Sequence, residues 1–336
     1  MTERRRDEVG GETSDGERPT KLVVDKARDG RMLDALVREL SGGSWNNARE
    51  LVRRGKVRVD GATVTEITTR IPVGTEIVLD LHARRLKRAE LPADNILYVD
   101  ADVVVVNKPT GLMSVPYEDE KDTLVDRTRI ALSRAARGSH PGSKAARAQP
   151  TELGVVQRLD KDTSGVLVFA RNLEAKRGLQ GQFRVHSIDR RYFAIVHGEL
   201  RAMTIETDLI RDRGDGLKGS FGHFRRPRGP LPADAQHSIT HVRPLEALKG
   251  ATLIECKLET GRQHQIRIHV SERGHPIVGE QVYIRDYERP RIAAERPMLH
   301  AHVLGFEHPR TGKPLSFSID PPQDFQSLLE SLRTRT

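Results

Sequence analysis

The 336 residues are 36% hydrophobic, only 4% aromatic and carry a formal net charge of +9, so the chain can bury at least one core built from Val, Leu, Ile and Ala. No run of 18 apolar residues occurs and the N-terminus is rich in Arg and Glu, so neither a membrane span nor a secretory leader is expected, and the chain reads as soluble and cytoplasmic. A single cysteine, Cys256, excludes an intramolecular disulfide and any multi-cysteine zinc site.

Residues 1 to about 19 mix charges with Gly, Ser and Thr and hold almost nothing that could be buried, the composition of a disordered tail. A module is expected over residues 20–82. Leu33, Leu36, Val37 and Leu40 fall on one helical face. After Gly42-Gly43, Ser44 is placed to cap a second helix with Trp45, Ala48 and Val52 facing inward, Arg49 and Arg53 on another face, and Gly55 ending it. Lys56 to Val59 alternates, Asp60-Gly61 is a hairpin turn, and Ile71 to Asp80 reads as a further strand. From Lys21 to Arg88 there are 15 basic and 9 acidic residues. Local charge of this kind, clustered at Arg49, Arg53, Arg54, Lys56 and Arg58, favours a polyanionic partner.

This stretch resembles the small RNA-binding module known from ribosomal small-subunit protein four. The resemblance rests on Arg31, Asp34 and Val37, then Ser44 and Arg49, then Gly55-Lys56-Val57-Arg58-Val59-Asp60-Gly61; Trp45-Asn46-Asn47 replaces the usual basic stretch after the serine. It implies that Arg49, Arg53, Arg54, Lys56 and Arg58 contact RNA.

Residues 83–94, with Arg84, Arg85, Lys87, Arg88 and Pro92, read as a basic linker, and a larger domain is expected over 95–330. Leu97 to Val99 and Val103 to Val106 form a hairpin leading into Asn107-Lys108-Pro109-Thr110-Gly111. Residues 133–150 and 211–232 read as basic surface insertions. Elsewhere short strands dominate with occasional helices, and Cys256 alternates with Ile254 and Leu258 as a buried hydrophobe. The fold class is therefore α+β, around a mixed and mainly antiparallel sheet.

Gly154 to Leu159 and Val166 to Ala170 are apolar runs, and between them lies the turn-forming hexad Asp160-Lys161-Asp162-Thr163-Ser164-Gly165. Asp160 is thereby expected at the end of a buried strand. Periodicity alone leaves open whether it is a turn-former or a catalytic carboxylate.

The segment Arg158-Leu159-Asp160-Lys161-Asp162-Thr163-Ser164-Gly165 resembles the signature of the pseudouridine synthases, and within them the RluA family, although Gln157 stands where that family has histidine. Further segments resemble the same family in order and spacing: Lys108 to Gly111, Tyr192 preceded by Arg191 in place of lysine, Leu258 to His269, Gly274 to Gly279, Leu299 to His302 and Phe306 to Pro309. The resemblance implies a pseudouridine synthase fold and isomerisation of uridine in structured RNA. Large-subunit ribosomal RNA is the expected substrate and transfer RNA the alternative. It implies Asp160 as the carboxylate that initiates the reaction, Arg267 as its charge partner and Tyr192 as the aromatic against the uracil. Arg158, Lys108, Arg262 and His264 are expected RNA contacts.

No cofactor is expected for such an isomerisation. Neither His264 with His269 nor His300 with His302 is accompanied by a metal-binding pattern, so no metal is expected. A monomer is expected. Two rivals remain at this stage: a noncatalytic RNA-binding protein, and a glycoside hydrolase using Asp160 and Asp162.

Overall fold

The computed structural model describes residues 19–83, 90–117, 122–139, 152–224 and 229–333. The expected tail, except Pro19, and the basic residues of the expected linker lie outside these, as do most of the 133–150 insertion and residues 225–228. The chain forms two compact units, Met1–Arg88 and Ala89–Thr336.

In the first unit, β1 (Thr20–Val23), β2 (Arg31–Met32), α1 (Leu33–Ser41), α2 (Trp45–Arg53), β3 (Val57–Val59), β4 (Ala62–Thr63), β5 (Arg70–Ile71) and β6 (Glu76–Leu79) follow in order. The sheet runs β1-β6-β3-β4, with β2 and β5 paired separately. Leu33, Leu36 and Val37 of α1 pack with Ala48 and Val52 of α2 on Val57, Ile77 and Leu79, all buried. The Ser44 hydroxyl accepts from the Asn47 N–H at 3.2 Å, as its position predicts. Asp60 and Gly61 both take positive φ between β3 and β4, the geometry of a type I′ hairpin.

Two local expectations fail. The strand read over Ile71 to Asp80 is split, because Pro72 and Gly74 turn the chain between β5 and β6. Trp45 does not face inward; it is 43% exposed. Ala48 and Val52 complete the contact with α1, and the indole at the first helical position lies against Arg38 instead.

The second unit is built from β7 (Ile96–Val99), β8 (Val103–Lys108), α3 (Leu124–Ser139), β9 (Gly154–Val155), β10 (Ser164–Ala170), α4 (Leu173–Arg184), β11 (Asp189–His197), β12 (Met203–Ile210), β13 (Gly219–Ser220), β14 (Gln236–Leu248), β15 (Ala251–Leu258), α5 (Gln265–Glu272), β16 (Leu299–Glu307), β17 (Pro314–Ser318) and α6 (Gln323–Leu332). Among the described residues one sheet runs β13-β12-β14-β15-β11-β16-β10-β8-β7, with β17 beside β16 and β9 beside β10. Only the β10–β16 pairing is parallel. The sheet is thus mixed, mainly antiparallel, and the architecture is α+β.

The middle of this sheet is covered on both faces, which explains why β8 and β10 are apolar without alternation. Val104, Val106, Leu167 and Phe169 join the core beneath α3, α5 and α6, with Leu124, Ile266 and Phe325. Val103, Val105, Val166 and Val168 point to the other face and pack with Ala175 and Leu179 of α4. Cys256 is fully buried in β15.

The parallel β10–β16 pair sets the position of the functional loop. Gly165 lies opposite Ala301 with φ +128, and a Cβ there would run into the Ala301 carbonyl oxygen and amide. Only glycine allows the two strands to approach this closely at that point.

Candidate active site

Asp160 sits in the irregular segment that enters β10, with its side chain 30% exposed. The expected strand up to Leu159 stops at Val155. What holds the loop is a set of side chains reaching its backbone. The Ser114 hydroxyl donates to the Leu159 carbonyl at 2.7 Å and accepts from the Leu159 N–H at 3.0 Å. Thr110 and Arg296 both donate to the Asp162 carbonyl at 3.1 Å. Asp160 closes the turn itself, its carbonyl accepting from the Thr163 N–H at 3.1 Å.

Lys108 completes this scaffold, and here the structure corrects the sequence reading. Its side chain is wholly buried, and its ammonium donates to the carbonyls of Pro109, Lys161 and Thr163 at 2.8–2.9 Å. All three ammonium protons are used inside the protein, so Lys108 positions the Asp160 loop and does not touch phosphate. Burial pushes its pKa down to about 7, against the pull of Asp162 and Asp160. Lys108→Met leaves three carbonyls without a donor, each costing about 1–3 kcal/mol if it stays dry. Its melting temperature and turnover are expected to fall together while RNA affinity holds. A thermal melt beside a binding titration checks this, since a phosphate contact would give the opposite pattern.

Arg267, on α5, faces Asp160 with Nη1 3.5 Å from Oδ2. Its other two nitrogens are committed elsewhere: Nε and Nη2 each donate at 2.7 Å to the two oxygens of Glu280. The side chain of Glu280 is 0% exposed, and its Oε1 also accepts from the N–H groups of Gln281, Val282 and Tyr283 at 2.9–3.2 Å. Burial alone would raise the Glu280 pKa, but the Arg267 fork and the N–H groups of Val282 and Tyr283 hold it below the usual carboxylate range. Burial likewise opposes the charge on Arg267, and Glu280 and Asp160 more than restore it. The guanidinium also lies over the Tyr283 ring, 5.4 Å from its centroid. The bidentate partner of Arg267 is therefore Glu280, and Asp160 receives the remaining arm.

Sequence reading missed Glu280 and Tyr283. Gly279, with a φ of +83 and no room for a Cβ against the Arg296 carbonyl, locks the backbone that presents Glu280, a constraint visible only in the folded chain.

His264 precedes α5 in the left-handed region, φ +59. Its Nδ1 lies 2.8 Å from the Tyr283 hydroxyl and its Nε2 3.9 Å from Asp160 Oδ2. Burial lowers its pKa, against the pull of Asp160. The other three histidines considered as ligands are engaged separately: His269 lies between the Thr207 and Thr240 hydroxyls, His300 bonds Ser164 and the Ile319 carbonyl, and His302 bonds Ile319 and Ser318.

Tyr192, on β11, is 9% exposed and faces the same cavity, a recess of about 60 Å³ lined also by Arg158, Asp160, Leu258, Ile266 and Leu299. Burial raises the Tyr192 pKa, partly offset by Arg190. Arg158 is exposed and Arg262 half-buried at the mouth, where a cleft of about 1000 Å³ shares both with Asp160. Asp160, Arg267, Tyr192, Arg158, Arg262 and His264 are thus brought together. A single carboxylate held by a guanidinium, an aromatic ring beside it and arginines at the opening can seat a planar base and deliver one charged oxygen to it.

Residues 102–272 match the profile of the RNA pseudouridylate synthases. The chain belongs to this family. The Ribosomal large subunit pseudouridine synthase D of Zymomonas mobilis is 39% identical over 243 residues, 70% of this chain and 72% of that protein. The synthase D of Xanthomonas campestris is 33% identical over 335 residues, 93% and 92% of the two chains. The solved structure of Human RNA Pseudouridylate Synthase Domain Containing 4 is 25% identical, with a TM-score of 0.54 over 71% of this chain and 93% of that one. The chain is an RluA-type pseudouridine synthase, an isomerase acting on RNA, and both rival readings fall.

The basic residues of the first unit are far from idle surface. Arg49 Nε donates to Asp34 at 3.0 Å, Arg54 pairs with Glu50 at 2.6 Å, Arg58 with Asp80 at 3.1 Å, and the Lys56 ammonium donates to the carbonyls of Leu81 and Ala83. Arg53 is half-buried on α2.

Proposed function

We propose that this synthase converts uridine to pseudouridine in large-subunit ribosomal RNA. The observation that carries the reading is the full-length similarity to the Xanthomonas campestris protein named Ribosomal large subunit pseudouridine synthase D, across both units of this chain. Asp160 initiates cleavage of the base–ribose bond, Arg267 lies beside it as counter-charge and aims it, and Tyr192 contacts the uracil, which must leave its stack to be turned and rejoined. Arg158, Arg262 and His264 contact RNA around the extruded nucleotide. Pseudouridine mapping of total RNA from cells with and without the gene tests the reading: a site lost from large-subunit RNA supports it, and loss confined to transfer RNA sinks it.

In this reading residues 20–82 form an RNA-binding module joined by a linker, 83–94, to a catalytic domain over 95–330. Arg49, Arg53, Arg54, Lys56 and Arg58 are its basic surface. Removing residues 1–88 is expected to weaken binding of structured RNA and flatten its salt dependence, because phosphate contacts release counterions in proportion to their number. Titrations across a salt series compare the truncated and full chains. An unchanged slope would remove the module from RNA binding.

A further inference from the structure

Trp45 is the only tryptophan in the chain, and 43% of its surface is exposed. An indole left in solvent forgoes the burial of one of the largest apolar side chains, so the surroundings of this one carry information. Arg38 Cζ lies 4.7 Å from the ring centroid and Arg49 Cζ 5.8 Å from it. Arg49 is anchored: its Nε donates to Asp34 at 3.0 Å, and the Asp34 side chain is 6% exposed between the helices. Arg38, by contrast, is exposed and makes no ion pair among the described residues. Asn46 and Asn47, which follow Trp45 in the chain, are exposed as well.

Taken together, an aromatic surface and a guanidinium that lies over it without an ion pair are gathered at one corner of α1 and α2. We propose that Trp45 is a stacking platform for an unpaired base of the RNA, with Arg38 taking the neighbouring phosphate. Each part has a physical role. A nucleobase that is not paired exposes a π-face, which an indole covers with little regard to sequence. Recognition of RNA by side chains is concentrated on such splayed bases, since the paired bases of an A-form helix are out of reach. Cations beside the indole place positive charge where the backbone joined to that base must run. The position is also where this chain departs from the basic stretch usual after Ser44, so the platform replaces phosphate contacts with a base contact. The inference rests on the RNA-binding reading of residues 20–82 and deepens it.

Because Trp45 is alone, the tryptophan fluorescence of the full-length protein reports this site and no other. The probes are an RNA stem–loop with unpaired purines, an uninterrupted RNA duplex of equal length, and heparin as a polyanion without bases. The stem–loop is expected to quench the emission, and the duplex and heparin to leave it nearly unchanged. Trp45→Leu is expected to weaken stem–loop binding about tenfold, with Trp45→Phe intermediate, because stacking on a smaller ring persists. The thermal melt should be unchanged in both, as Trp45 lies outside the buried core of its unit.

Emission indifferent to the stem–loop, quenching of equal size by heparin, or stem–loop affinity unchanged in Trp45→Leu would each overturn the platform. A full-chain variant carrying Arg53→Glu and Arg54→Glu separates this from the broader reading. If that variant loses affinity while wild-type emission is indifferent to the stem–loop, the module binds RNA but not through Trp45. If its affinity and that of Trp45→Leu are both those of the wild type, the RNA-binding reading of the module fails and the platform fails with it.

Discussion

Asp160→Asn is expected to abolish pseudouridine formation while leaving a folded protein that binds RNA. The substitution preserves the shape of the side chain, and the loop does not depend on the carboxylate for its conformation. Its backbone is held by Ser114, Thr110, Lys108 and Arg296, and by the Asp160 carbonyl accepting from Thr163. What Asn removes is the negative charge facing Arg267 Nη1 at 3.5 Å. Whether Asp160 attacks a carbon or withdraws a ribose proton, the step needs an ionised oxygen, and an amide offers none at any pH. RNA affinity comes from contacts spread over basic surfaces and should change little. Single-turnover conversion of ribosomal RNA fragments, read beside a binding titration and a melt, decides the matter. Conversion within about tenfold of wild type, only ~1.4 kcal/mol of barrier, would mean that another residue starts the reaction.

The parts of this molecule that are legible in its sequence are those fixed by neighbours in the chain. The Ser44 cap, the Asp60-Gly61 turn and the hairpin from Ile96 to Lys108 each depend on a few adjacent residues, and each forms as the pattern predicts. The order of strands in the large sheet depends on partners far apart, and no local pattern announces that β10 lies parallel to β16. The same divide runs through the site. Asp160, Arg267 and Tyr192 are readable because they sit in motifs, whereas the bidentate hold of Glu280 on Arg267 exists only once α5 packs beside the Gly279 turn. Lys108 shows the opposite error. A basic residue next to a site reads as a phosphate contact, but burial among carbonyls gives its charge an internal task. Trp45 was misread for a geometric reason: helical periodicity assigns it to the inner face, but at the first helical position Ala48 and Val52 already complete the contact with α1.

The second large effect is expected at the Arg267–Glu280 pair. Arg267→Lys should keep the fold and lose about a hundredfold in turnover, equivalent to ~2.7 kcal/mol of barrier. A guanidinium reaches two carboxylates at once, with Nε and Nη2 on Glu280 and Nη1 toward Asp160. A lysine ammonium is a single point charge, and Glu280, fully buried and anchored by three N–H groups, will retain it. Asp160 then loses its counter-charge without any change in its own chemistry. Glu280→Gln probes the same pair from the far side. The amide oxygen still accepts from the backbone, but the guanidinium loses the charge that balances its burial, so turnover should fall less than in Arg267→Lys and stability should fall too. The two variants differ in their response to acid. Glu280 has its pKa depressed below 4.5 in the folded protein, so its contribution to stability is complete above that value and is lost as pH falls through the lower, folded value. Melting temperatures of wild type should therefore drop more steeply than those of Glu280→Gln below about pH 4.5. Parallel acid profiles, or near-wild-type turnover by Arg267→Lys, would show that Glu280 does not hold Arg267 against Asp160 in the way the geometry implies.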